Sequence, residues 1–329
     1  MSNSGDFIGL PFELDEAARH VMAAALLYID IDLLNAESDA ERKKKKGAVV
    51  DRKRSTFQLA HEDAKFWMKS GAELIAYIST ASSDWPQEKR NFVLVETCFT
   101  PPFYPYELNF TEKDHARSLS ALAAALGLGT DEPERVMKSM KSAESAHRHI
   151  NYWKVAGMVT AGALVGYFAA PVVGAWIGTA AGLNGAAAVA HGLAILGGGS
   201  LAAGGAGMFG GVVMVAGAGA VGAGGGMYLV ELGHARAIGE LIRLQVTFRH
   251  VISASQLREG KMIAIIDKLR MQEKELCKNL EAERAMNEKN AKRIKEIERV
   301  IEAYNDSIAW FKKQESERKE RETQQAHAA

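Results

Sequence analysis

Between Lys154 and Glu231 the chain runs for 76 residues, Val155 to Val230, without one Asp, Glu, Lys or Arg. A helix on the surface of a water-soluble domain needs a polar face, and this window offers little beyond Thr160, Thr179, Asn184, His191 and Ser200 to make one. The window also holds 22 of the chain's 31 Gly. All 40 basic and 40 acidic side chains therefore lie outside it, so the net charge of zero averages over unlike parts. This division argues against a water-soluble enzyme of uniform composition. A disulfide-built secreted domain is excluded by the two cysteines, Cys98 and Cys277, far apart in sequence.

About 20 helical residues cross a hydrocarbon layer of ~30 Å, and two parts of the window meet that length. The first is Val155–Ile177, with Trp153 and Trp176 placed about 34 Å apart on a helix, one for each interface. The second runs from about Met208 to Val230 and carries Tyr228 as an interface anchor near its end. Residues 182–206, with Asn184, His191 and Gly197-Gly-Gly-Ser200, read as a loop or re-entrant segment. Arg148 and Lys154 stand before the window, Arg236 and Arg243 after it. Cations on both flanks put both ends on the cytoplasmic side, which a two-span hairpin satisfies and three spans violate.

The glycines repeat at helical spacing. Gly174, Gly178 and Gly182 follow one another by four, and Gly162/Gly166, Gly207/Gly211 and Gly222/Gly226 repeat the interval. Small residues at i and i+4 let two backbones approach closely, so packing contacts can drive association within lipid. This pattern, with Ala180-Ala-Gly-Leu-Asn-Gly-Ala-Ala-Ala and Gly197-Gly-Gly-Ser-Leu-Ala-Ala-Gly-Gly, resembles the glycine-zipper membrane segments of bacterial membrane-acting effectors. Interferon-induced small membrane proteins look similar. The resemblance covers residues 155–230 and implies a homo-oligomer that perturbs a bilayer, packed through those glycine faces. The rival reading is a helical hairpin buried inside a large soluble assembly, or held there until a trigger releases it.

The flanking blocks read as helical, so the expected fold class is all-α. Residues 1–150 form a soluble domain: Ala17, Val21, Ala24, Ala25, Tyr28 and Leu33 share one helical face, and a second helical pattern runs from about Ser55 to Ser79. Trp85-Pro86 and Pro101-Pro102-Phe103-Tyr104-Pro105 break the pattern, and Asn91–Phe99 between them fits a strand or a buried helix turn. Thr111 with Asp114, and Thr130-Asp-Glu-Pro-Glu, mark further helix starts. Residues 151–235 form the membrane hairpin and 236–314 a coiled-coil region. In the latter, a seam from Met262 to Phe311 alternates by four and three, for contact with the same chain, a copy or another protein. Its polar positions cluster at Glu283, Asn287 and Asn290, as the waist of one long helix or a turn between two antiparallel ones. Residues 315–329 are polar and read as a disordered tail.

The strongest charge feature is Arg42-Lys43-Lys44-Lys45-Lys46 with Arg52-Lys53-Arg54. These cations suit a solvated loop or anionic lipid headgroups, each worth about 1 kcal/mol near such a surface, and nucleic-acid phosphate comes third. Asp30 and Asp32 read as solvent-facing or capping groups, His147 and His149 as surface residues, and His191 as a titratable loop group. Cys98 lacks the basic neighbours of an activated thiolate and reads as buried structure. His61-Glu-Asp-Ala-Lys65 lacks the second histidine of a zinc helix, and the glycine clusters lack the Lys-Ser/Thr of a phosphate loop. Neither a catalytic motif nor a cofactor motif is present. With no basic n-region before the first apolar stretch, the start of the chain does not read as a secretory signal. The sequence thus points to a membrane effector or sensor without a catalytic motif, or to an anchor whose coiled coil recruits a partner. An enzyme in residues 1–150 that needs membrane attachment is a third reading. In each case the terminal regions are cytoplasmic.

Overall fold

The computed structural model describes residues 16–60, 65–103, 106, 108–146, 234–252, 258–286 and 291–328. Every regular element among them is helical, in agreement with the all-α expectation. The expected hairpin lies outside the described residues, and among those residues no helix is long and apolar enough to cross a membrane.

Two helices form the centre. Helix α1 (Glu16–Asn35) is enclosed nearly all round from Val21 to Ile31, where Ala23-Ala-Ala25 let neighbours approach closely. Packed against it are α2 (Ala40–Ala60), α3 (Gly71–Ala81), α4 (Gln87–Phe99) and α5 (Glu112–Ala125). Helix α4 is the second hub and covers the stretch for which strand and helix were both open. It starts directly after Pro86, whose missing N–H costs nothing at a helix start, and its residues from Asn91 to Phe99 are all buried.

The single helix expected over 55–79 is three elements. Helix α2 ends at Ala60, a short 3-10 turn spans Phe66–Met68, and α3 begins at Gly71. Lys65 adopts a left-handed conformation with φ 48°, which ends any continuous helix. Ser70 then caps α3: its hydroxyl accepts the Glu73 N–H, while Glu73 Oε2 accepts the Ser70 N–H at 2.8 Å. Phe66 stays buried because its ring packs 5.7 Å from that of Phe57 and 6.2 Å from that of Tyr77. Thr111 caps α5 as expected, its hydroxyl accepting the Asp114 N–H at 3.1 Å.

Beyond the window, the expected separation into two soluble regions does not match the packing. Helix α7 (His234–Thr247) and the π-turn Phe248–Ile252 that follows lie on α4, while α7 also packs on α6 (Glu132–Ala146). Helix α9 (Ala291–Ala328) covers α7 and pairs with α8 (Arg258–Met286). One continuous apolar core results, running from Val21 to Phe311.

Helices α8 and α9 are the antiparallel pair, with Arg284 at the end of one bonded to Glu298 near the start of the other at 2.5 Å. Seam residues Met262, Ile266, Leu269, Leu276, Ile297, Tyr304, Ile308 and Phe311 are buried within the chain. The tail expected to be disordered after Gln314 is instead the end of α9. Ion pairs one turn apart, such as Lys319–Glu315 at 2.8 Å, support the helix there without a core contact.

Candidate functional site

Helix α2 places the basic cluster on a helix and divides it by helical phase. Lys46, Val50, Lys53 and Phe57 recur by four, three and four, and all four are buried. Lys46 Nζ lies 2.8 Å from Glu37 and 5.3 Å from the centroid of the Phe103 ring. Lys53 donates to Asp30, whose other carboxylate oxygen accepts the Phe103 N–H at 2.7 Å. That bond fixes a tight turn in which Phe103 has φ 61°. Burial pushes the Asp30 carboxyl upward more than Lys53 and the Phe103 N–H pull it down.

Two expectations are corrected here. Lys46 and Lys53 cannot meet lipid headgroups, because internal carboxylates hold their ammonium groups. Asp30 is neither solvent-facing nor a cap, whereas Asp32 accepts from Ser118 at 2.6 Å and Arg117 at 3.2 Å.

Lys43, Lys44 and Lys45 remain exposed, Lys45 bonding Glu41 at 2.9 Å. Exposed Arg52 donates to the Tyr106 hydroxyl at 2.7 Å, and half-buried Arg54 to the Lys69 carbonyl at 3.2 Å. The other sequence-predicted positions lie outside the described residues: Trp153, Gly162, Gly166, Gly174, Trp176, Gly178, Gly182, His191, Gly207, Gly211, Gly222, Gly226 and Tyr228.

The structure instead assembles polar chemistry where α7 and the π-turn meet α4 and α6. Arg243 bonds the Glu96 carboxylate through Nε at 2.8 Å and Nη2 at 2.7 Å, with both side chains buried. Arg243 is therefore not a juxtamembrane cation, and the flanking-charge argument loses that residue. Such a pair is close and charge-assisted, and removing one partner would strand a buried charge. Asn91 donates to the His250 carbonyl at 2.9 Å and so gives a partner to backbone in the π-turn.

On the side facing α6, His250 joins two residues that lie two turns apart on that helix. Its Nδ1 is 2.9 Å from Glu132 Oε1 and its Nε2 is 2.9 Å from Ser139 Oγ. The ring is largely enclosed, with its side chain 9% exposed against 19% for that of Glu132. An ionised carboxylate only accepts, so the neutral ring's proton belongs on Nδ1. Nε2 then presents its lone pair to the Ser139 hydroxyl. Beside Ser139 opens a cleft of ≈ 140 Å³ walled also by Ser142, Ala143, Gln245, Arg249 and Trp310. Nearby Cys98 is fully buried, and burial first, then Glu132, push its thiol far upward, in keeping with an inert structural cysteine.

Nothing local in the sequence marks this cluster. His250 is 118 positions from Glu132 and 111 from Ser139. The one available signal was the i, i+7 placement of Glu132 and Ser139 on a common helical face. The buried lysines, by contrast, could have been found from their phase with Val50 and Phe57. No group of His, Cys, Asp and Glu side chains suited to a metal ion occurs among the described residues. No family model matches the sequence, and no curated protein or solved structure is similar to it.

Proposed function

We propose that this chain is a membrane-acting effector or sensor: a helical globule that presents its uncharged, glycine-spaced segment to a bilayer and assembles through it. One observation carries the reading. Helices α6 and α7, which border the window, belong to a single core and are joined to it by Glu96–Arg243 and the Glu132–His250–Ser139 chain. Ser142 and Ala143 of α6 also share a cleft with Gln245 and Val246 of α7. The segment thus leaves and rejoins one body, and any passage through lipid involves an even number of crossings. This supports the hairpin independently of flanking charge. Exposed Lys43, Lys44 and Lys45 of the α2 cluster would face anionic headgroups.

The test uses the full chain with dye-loaded vesicles of neutral and anionic lipid, together with alkaline carbonate extraction of membranes from expressing cells. The expected result is carbonate-resistant membrane association and dye release that is lost when Gly174, Gly178 and Gly182 are replaced by Leu. Unchanged release and unchanged oligomer size in that variant would overturn the effector reading.

A scaffold reading draws on α9, in which none of the described side chains from residue 312 to 324 is buried, leaving that end of the helix open to a partner. It expects that exchanging residues 155–230 for an unrelated hairpin preserves function, whereas the effector reading expects loss.

A further inference from the structure

We propose that Ser139, His250 and Glu132 form an acyl-transfer centre that hydrolyses short-chain carboxylic esters in the cleft between α6, α7 and α9. The signature of an activated hydroxyl is a nucleophile bonded to a base that is itself oriented by a third group. Here the distances are 2.9 Å from Ser139 Oγ to His250 Nε2 and 2.9 Å from His250 Nδ1 to Glu132 Oε1. The carboxylate fixes the tautomer, so the lone pair of Nε2 faces the hydroxyl. His250 sits in the π-turn Phe248–Ile252, an irregularity found often where a helix serves function, and the Asn91 bond to its carbonyl holds it there.

Ser139 is one of the residues that line the cleft of ≈ 140 Å³. Ala143, Val246 and Trp310 give that space an apolar wall for a short acyl chain. Ser139 lies in the interior of α6, where its own N–H belongs to the helix, so stabilisation of an oxyanion falls to side-chain donors. The same wall holds Arg249, stacked 5.7 Å from the centroid of the Trp310 ring, and Gln245, whose amide also donates to Ser307 at 3.1 Å.

The step balances without a co-reactant other than water. Ser139 Oγ bonds to the ester carbonyl carbon and its proton passes to His250 Nε2. The bond to the leaving alkoxide then breaks, and the departing oxygen takes that proton. Water adds to the acyl carbon and gives a proton to Nε2, after which the acyl–Oγ bond breaks and Oγ recovers the proton. Ester and water become acid and alcohol.

The experiment incubates the full chain, folded and heat-denatured, with a fluorophosphonate probe and locates the adduct by peptide mass spectrometry. Turnover of p-nitrophenyl acetate and butyrate is measured in parallel. Expected are an adduct on Ser139 in the folded protein alone, its loss in Ser139→Ala, and labelling slowed at least ~100-fold in His250→Gln, the scale of a lost general base. Glu132→Gln should lower ester turnover while leaving the adduct site unchanged. No adduct on the folded wild type, an adduct at another residue, or an unchanged labelling rate in a folded His250→Gln variant would show a structural hydrogen-bond chain only.

Discussion

Two of the buried ion pairs among the described residues differ in what they join. Lys53–Asp30 connects neighbouring helices 23 positions apart, and Asp30 divides its oxygens between the ammonium and the Phe103 backbone. Arg243–Glu96 connects residues 147 positions apart, on opposite sides of the uncharged window, and both guanidinium contacts fall on one carboxylate oxygen. The first pair shapes a local turn. The second closes the globule across an insertion. In a protein interior the guanidinium stays charged, whereas the Asp30 carboxyl, already pushed upward by burial, can take a proton if its partner is lost.

That contrast sets the order of the tests. Glu96→Leu leaves Arg243 charged and enclosed, and should cost about 4 kcal/mol in denaturant unfolding. Adding Arg243→Met should recover most of the loss, since apolar groups replace both charges; a double variant as unstable as the single one would mean that α7 docks mainly through other contacts. Lys53→Met should cost less, about 2 kcal/mol, because Asp30 can neutralise itself. Its loss should shrink as pH falls. Equal, pH-independent losses for Glu96→Leu and Lys53→Met would erase the distinction drawn here.

Acid gives a further probe through His115 on α5, whose ring burial holds at a pKa of about 4, beside Phe110 at 5.2 Å. The unfolded chain binds this proton near pH 6.5, so the stability contributed by neutral His115 is complete above that value. It falls as pH drops towards 4, by up to about 3 kcal/mol, and stays level below. His115→Leu should remove that slope and leave the Arg243–Glu96 comparison unaltered; an unchanged slope in urea titrations would place the acid-sensitive group elsewhere. The smallest effect belongs to Ser70→Ala, about 1 kcal/mol, since it removes only the cap of α3.

What the sequence made legible was local. Helix class and the Thr111 cap of α5 depend on residues within a turn of one another. The break between α2 and α3 escaped because Phe57, Phe66, Leu74 and Ile78 keep an apolar pattern through Lys65 and the Ser70 cap, where chain direction changes. Lys46 and Lys53 were hidden by composition: a run of cations suggests solvent, yet two of them follow the phase of Val50 and Phe57. The Glu132–His250–Ser139 chain escaped because its members meet only after α7 returns to α6, and no spacing rule reaches over a hundred positions.

The long reach of Arg243 also orders events during synthesis. At 5–20 residues per second, on the order of ten seconds separates the emergence of Glu96 from that of its partner. All of the uncharged segment leaves the ribosome within that interval, before α7 and α9 can seal the core. Whatever receives the segment, whether lipid or a chaperone, therefore meets a nascent chain whose helical body is still open, and the body closes only afterwards.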